Sequence, residues 1–154
     1  MSALLRVAEL NAAYAATIDA DKLEAWPDFF IEDCVYKITS AENHRRGYAA
    51  GIIYADSRSM LRDRVTALRT ANIYERQSYR HIVGLPVLIS TQVDGIRAET
   101  PFLVVRIMRD GRSDLFATGV YVDLIHDESG DLHFAERIVV CDSSHFDILL
   151  AIPL

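Results

Sequence analysis

Cysteine is almost absent: Cys34 and Cys141 are the only two in 154 residues. Two thiols cannot build a disulfide framework. Each lies in an apolar stretch, EDCVYKI and RIVVCDS, where a reduced, buried thiol is the ordinary expectation. Glycine (7) and proline (4) are scarce, which removes collagen-like, low-complexity and disordered readings. Basic residues are outnumbered 22 to 16 by acidic ones, for a formal charge of −6. A general nucleic-acid binder needs a basic surplus to meet phosphates, so that class is disfavoured. No apolar run approaches the ~20 residues of a membrane span. The opening MSALLRVAELNAAY carries Arg6 and Glu9 where a signal peptide needs an uninterrupted apolar core. The expected location is the cytoplasm, with neither membrane nor nucleic acid as a partner.

Metal-ligand spacing is also missing. The five histidines are His44, His81, His126, His133 and His145, and no Cys-x-His, Cys-x-x-His or His-x-x-x-His pattern occurs. A zinc site or a Rieske iron–sulfur site in this chain is thereby dismissed. A two-His, one-carboxylate iron site needs no tight spacing and stays open, with His126 and His133 flanking one hairpin turn. The densest glycine context, RRGYAAG, lacks the pattern of a phosphate cradle. No Gly-x-Ser-x-Gly elbow is present. Ser143-Ser144-His145 reads as a polar turn closing the last strand.

What is present is an ordinary globular composition, 51% apolar and 25% charged, sized for one domain spanning residues 1–154. Leu4, Val7, Ala8, Asn11, Tyr14, Ala15 and Ile18 follow a three-and-four spacing that predicts an amphipathic helix over 3–18. Residues 19–26 read as a second short helix, closed by Pro27. Cys34, Tyr36 and Ile38 alternate with Val35, Lys37 and Thr39 as a strand of about seven residues. Residues 40–50 read as loop and 51–55 as a possible strand. Asp56-Ser57 caps a helix whose apolar stripe is Met60, Leu61, Val65 and Leu68, with Arg58, Arg62 and Arg69 largely opposite. Strands follow at about 79–93, 98–109, 113–126 and 131–142. Asp94-Gly95, Asp110-Gly111 and Glu128-Ser129-Gly130 punctuate them. Pro86, inside the first run, calls for an edge position or a bulge. The expected class is α+β, with helices on one face of a curved, mainly antiparallel sheet.

The strands are apolar on both faces. Phe102, Val104 and Met108 share one face with Arg106, and Leu103, Val105 and Ile107 the other. Phe116, Val120, Val122 and Leu124 are set against Leu115, Ala117, Tyr121 and Ile125. A sheet with one wet face alternates cleanly. Both faces are therefore covered, one by the helices and part of the other by a partner subunit.

Two constellations follow. Tyr14, Asp33, Tyr36 and His81 could meet in a cavity between helices and sheet, with Asp33 and His81 as an acid/base pair. Against this, Asp33 reads equally as a strand-start turn residue and His81 as a hydrogen-bonded core or interface group. The stretch NIYERQSYRHI interleaves Tyr74, Arg76, Tyr79, Arg80 and His81, residue types enriched at interfaces. The ending HFDILLAIPL, with Phe146, Leu149 and Leu150, is too apolar for a free tail, and is expected to lie across its own domain or a neighbouring subunit.

Taken in order, AAYAATIDADKLEAWPDFFIEDCVYKI, DRVTALRTANIYERQSYRHIVG, PFLVVRIM and ERIVVCDSSHFDILLAIPL resemble the small (beta) subunit of bacterial aromatic-ring-hydroxylating dioxygenases, the Rieske non-haem iron oxygenases. The look is nearest to the small subunits of terephthalate- and salicylate-type oxygenases, which act on aromatic carboxylates. The resemblance covers essentially the whole chain. It implies the cone-shaped α+β fold of the nuclear transport factor two-like (cystatin-like) class. It also implies a hetero-hexamer of three large (alpha) and three small subunits. The large subunit would hold the Rieske 2Fe-2S cluster and the mononuclear non-haem iron, and the small one would hold no cofactor and no metal. The small subunit's role would be structural, supporting assembly in aromatic compound catabolism. The same fold hosts free-standing enzymes such as scytalone dehydratase and ketosteroid isomerase, so a lyase or isomerase using Asp33 and His81 is the alternative.

Overall fold

The computed structural model describes residues 1–48, 51–71, 77–144 and 152–154. Helix α1 (Ala3–Asp19) starts at Ser2, whose Oγ accepts the Leu5 N–H at 3.2 Å, and buries Val7, Asn11, Tyr14, Ala15 and Ile18 along one face. Its chain leaves through Asp21 at φ 60, a left-handed conformation that Asp tolerates. The second helix starts later and is tighter than the spacing suggested: a 3₁₀ helix spans Leu23–Phe29 and contains Pro27. A short 3₁₀ turn accepts Pro27 where a continuous α-helix would lose an N–H bond.

Strand β1 (Phe30–Ser40) is longer than expected, and α2 (Ala41–Arg45) is a helical turn inside the stretch read as loop. After β2 (Ile53–Ala55), helix α3 (Arg58–Thr70) is capped by Ser57, whose Oγ accepts the Met60 N–H at 3.1 Å. Leu61, Val65 and Leu68 are buried, whereas Met60 is exposed on the first turn and does not join the stripe.

The run at 79–93 is two strands, β3 (Gln77–Val83) and β4 (Val87–Gln92), parted around Pro86. Both pair with β5 (Gly95–Met108), and β6 (Ser113–Glu128) and β7 (Asp131–Cys141) complete the meander. The sheet order is β2-β1-β7-β6-β5-β3, with β4 also on β5. All pairs are antiparallel except β1 with β7. The helices pack on one face, over a core that runs from Val7 and Trp26 through Phe30, Tyr36, Tyr121 and Phe134.

One bulge changes an expected face. Val104 pairs with Ala117 and Val105 with Leu115, so Phe116 has no opposite residue. Its ring turns to the helix side, 5.2 Å from the Tyr79 ring and 4.8 Å beneath the Arg106 guanidinium. Phe116 thus leaves the face of Val120, Val122 and Leu124, and Leu115 becomes exposed beside Val105.

Candidate functional site

Three separate arrangements on this frame carry polar chemistry, and the grouped residues Tyr14, Tyr36 and His81 fall in two of them. The first lies deep in the cone. Tyr14 comes from α1, Trp26 from the 3₁₀ helix and Tyr36 from β1, all without solvent exposure. The Trp26 Nε1–H donates to Tyr14 Oη at 3.1 Å. Tyr14 Oη donates to the Leu154 backbone oxygen at 2.8 Å, and Tyr36 Oη donates to the same oxygen at 3.0 Å. The Leu154 N–H closes the circuit on Tyr36 Oη at 3.2 Å. Burial pushes the Tyr36 phenol well above its ordinary value, and burial likewise raises Tyr14. Both stay neutral donors.

The second is an ion pair in the core. Arg137 donates from Nε and Nη2 to the two Asp123 oxygens at 2.9 and 2.8 Å, and both side chains are fully buried. Arg137 also donates to Asn11 Oδ1, and Asn11 Nδ2 donates to Thr100 Oγ1 at 3.1 Å. The guanidinium carbon stands 3.8 Å from the Tyr121 ring centroid and 3.9 Å from that of Phe134, a stacked geometry open to arginine but not to lysine.

The third is Asp19 with His81. The Asp19 carboxylate ends α1 and receives the His81 ring Nδ1 at 2.7 Å and the His81 backbone N–H at 2.9 Å. His81 is therefore paired, but not with Asp33. Asp33 is exposed on β1, and three strands separate β1 from β3. At ~4.8 Å per strand the two residues lie on the order of 19 Å apart across the sheet. The acid/base pair of the alternative reading does not form. Tyr14 and Tyr36 do meet, on Leu154 rather than on His81. Asp19 was missed because its contact spans 62 positions and no local motif announces it.

Among the expected interface residues, Tyr79 and His81 point into the chain's own core, while Arg80 has a side chain 68% exposed. Tyr74, Arg76, Phe146, Leu149 and Leu150 lie outside the described residues, as does His145. His126 and His133 face each other across the β6–β7 pair, but no three His, Cys, Asp or Glu among the described residues converge on a point that could hold a metal. Cys34 and Cys141 are both buried on separate strands, Cys141 opposite Ser40. The donor set required by a Rieske cluster is not assembled by the described residues.

The outer face of the sheet is the remaining surface of consequence. Val105, Val120, Val122 and Ile138 are half-buried there, Leu115 is exposed, and no helix of the described chain crosses them.

The sequence profile of the ring hydroxylating beta subunit family matches residues 13–147. The chain belongs to that family. It is 51% identical over 150 residues to the terephthalate 1,2-dioxygenase terminal oxygenase component subunit beta 1 of Comamonas sp, covering 97% of each chain. It is 36% identical over 145 residues to the anthranilate 1,2-dioxygenase small subunit of Burkholderia cepacia, covering 94% of this chain and 90% of that one. Among solved structures it resembles a chain from Novosphingobium aromaticivorans described as the beta subunit of an aromatic-ring-hydroxylating dioxygenase. That likeness has a TM-score of 0.91 at 35% identity, over 99% of this chain and 97% of the other. A ring hydroxylating beta subunit is an α+β protein of the cone-shaped kind expected above, and here Tyr14, Trp26, Tyr36 and Leu154 are buried together in its interior. No helix among the described residues is long and apolar enough to cross a membrane.

Proposed function

We propose that this chain is the small subunit of a cytoplasmic, multicomponent oxygenase that adds oxygen to an aromatic carboxylate during catabolism. Its role is to hold the oligomer together. The large (alpha) subunit carries the Rieske cluster and the mononuclear iron, and the small subunits associate as a trimer within a hetero-hexamer. The relatives named for terephthalate and anthranilate support the substrate class.

The observation that carries the reading is the outer sheet face. A row of Val105, Leu115, Val120, Val122 and Ile138 spans three hydrogen-bonded neighbours, β5, β6 and β7, with no helix of the described residues over it. An apolar row of this kind on a sheet face marks a surface that another protein removes from solvent. A free-standing lyase or isomerase is not favoured, because Asp33 is remote from His81 and the cone interior is occupied.

Co-expression with a terephthalate-type Rieske large subunit tests the proposal. Co-purification in equal amounts, with aromatic hydroxylation lost when this chain is omitted, is the expected result. A small subunit that sediments as a monomer and never co-purifies with any large subunit overturns it.

A further inference from the structure

Leu154 is held the way a ligand is held. Its side chain has no solvent exposure, and Ile152 and Pro153 beside it are buried, yet residues 152–154 belong to no helix or strand. Among the described residues, Leu154 bonds to side chains 118 and 140 positions away. The Leu154 oxygen accepts two hydrogen bonds, its full capacity, and each phenol gives one and receives one. Aromatic rings wall the site. Trp26 stands edge-on to Tyr36 at 5.1 Å and to Phe30 at 5.8 Å, and Tyr14 edge-on to Phe134 at 5.6 Å. Edge-on rings held by several neighbours relax only in part when a packed group is removed.

We propose that the cone is a receptor pocket whose occupant is the chain's own 152–154 segment, and that the pocket takes a branched aliphatic group next to a carbonyl or carboxylate oxygen. Removing Leu154 strips Tyr36 Oη of both partners and Tyr14 Oη of its acceptor. Buried hydroxyls without partners favour any molecule that restores them. The apolar side chain supplies affinity and the two phenols supply orientation. This inference is independent of the subunit assignment and stands or falls without it.

A chain ending at residue 151 tests it, with the peptide acetyl-Ile-Pro-Leu as the probe. The shortened chain melts lower than the full one. Added peptide raises its Tm saturably, as expected of a ligand that binds only the folded state. The full-length chain does not respond, because its pocket is filled. Tyr36→Phe in the shortened chain weakens the apparent peptide affinity at least tenfold. A folded shortened chain with no peptide response, or a full-length chain that responds equally, overturns the proposal. If the shortened chain does not fold, the full-length Leu154→Gly variant replaces it, with isobutanol as a stand-in for the missing side chain. A saturable rise in Tm confined to that variant supports the pocket. An equal response in variant and parent, or none in either, overturns it.

Discussion

His81 Nδ1 lies 2.7 Å from Asp19 Oδ1, and the other Asp19 oxygen accepts the His81 backbone N–H at 2.9 Å. One carboxylate thus fixes both the ring and the strand that bears it, tying the end of α1 to β3. Both side chains are almost fully buried. Asp19→Ala leaves two donors unpaired, and each such loss costs about 1–3 kcal/mol. Asp19→Asn keeps an acceptor and costs less. Thermal or denaturant unfolding of the two variants gives that order. Hydroxylation per assembled, iron-loaded complex stays within a few-fold of the parent for Asp19→Asn and for His81→Gln. A loss of about a hundredfold or more in that complex is the scale of general acid/base work and contradicts a structural role.

Arg137 and Asp123 are an all-or-none pair. Arg137→Met removes the cation and strands a carboxylate with no solvent, a change that costs about 3–5 kcal/mol. Arg137→Met combined with Asp123→Leu removes both charges. The double variant recovers much of that loss, since apolar replacement of a buried pair is often neutral. A double-mutant cycle by chemical denaturation measures the coupling, and additive losses contradict it.

Much of this fold is legible in the residue pattern. The spacing of Val7, Asn11, Tyr14 and Ile18 marks the buried face of α1, and Asp94-Gly95 and Ser129-Gly130 sit at hairpin turns as their chemistry demands. Positions where two tertiary effects compete are not legible. Phe116 fits either face by alternation, and only the bulge opposite Val104 and Val105 decides. Pro86 signals a break but not that both pieces pair with β5. The site was legible as residue types and not as partners. Tyr14 and Tyr36 share an environment, but Leu154 lies over a hundred positions away, and nothing in one dimension marks a carboxylate at the end of α1 as the partner of a histidine on β3. The apolar character of both sheet faces is the most informative signal, since periodicity reports burial whatever does the burying.

Acid stability has a local source. Arg69 donates to Glu24 at 2.8 and 3.0 Å and to Asp21 at 2.9 Å, joining α3 to the start of the 3₁₀ helix and the turn before it. Hydrogen bonding to Arg69 lowers the Glu24 carboxyl below its ordinary 4.5. The unfolded chain then takes up the proton first as pH falls. The contribution is fully present above about 4.5 and is lost as pH drops through the lowered value. Arg69→Met flattens that limb of a Tm–pH curve by lowering its neutral end, and the variant and parent curves converge below the lowered value. An unaltered acid limb contradicts the assignment.

The thiols are inert in the folded chain. Burial, helped by the neighbouring Asp142, pushes Cys141 up to about 12, and burial also raises Cys34. Thiolate is the reactive form. At pH 8 a maleimide reagent therefore labels neither cysteine in the native protein and both after denaturation. Rapid native labelling of Cys141 would mean that the end of β7 opens freely.

The two faces of the sheet predict separable failures. Gly119 lies where β6 meets β7, and a Cβ there would stand 2.0 Å from the Val140 carbonyl oxygen. No side-chain rotation relieves a contact between Cβ and backbone, so Gly119→Ala must part the strands. The cost is at least the roughly 1–3 kcal/mol of an overpacked core. The folded monomer loses stability first, and assembly declines only as a consequence. Val122, three residues on and on the outer face, paired with Ile138 and Glu99, is half-buried. Val122→Glu places its carboxylate in water in the isolated chain, so folding changes little, within about 1 kcal/mol. In an assembled complex the same carboxylate is shut away from water without a partner. Several kcal/mol then oppose association, which weakens it at least a hundredfold. Equilibrium sedimentation alongside thermal melting resolves the two variants. Gly119→Ala lowers Tm at every protein concentration. Val122→Glu leaves the melting of dilute chain near that of the parent but abolishes large-subunit binding. If Val122→Glu assembles normally, the outer face at that strand position is not the covered one, and the observation that carries the subunit reading loses its force.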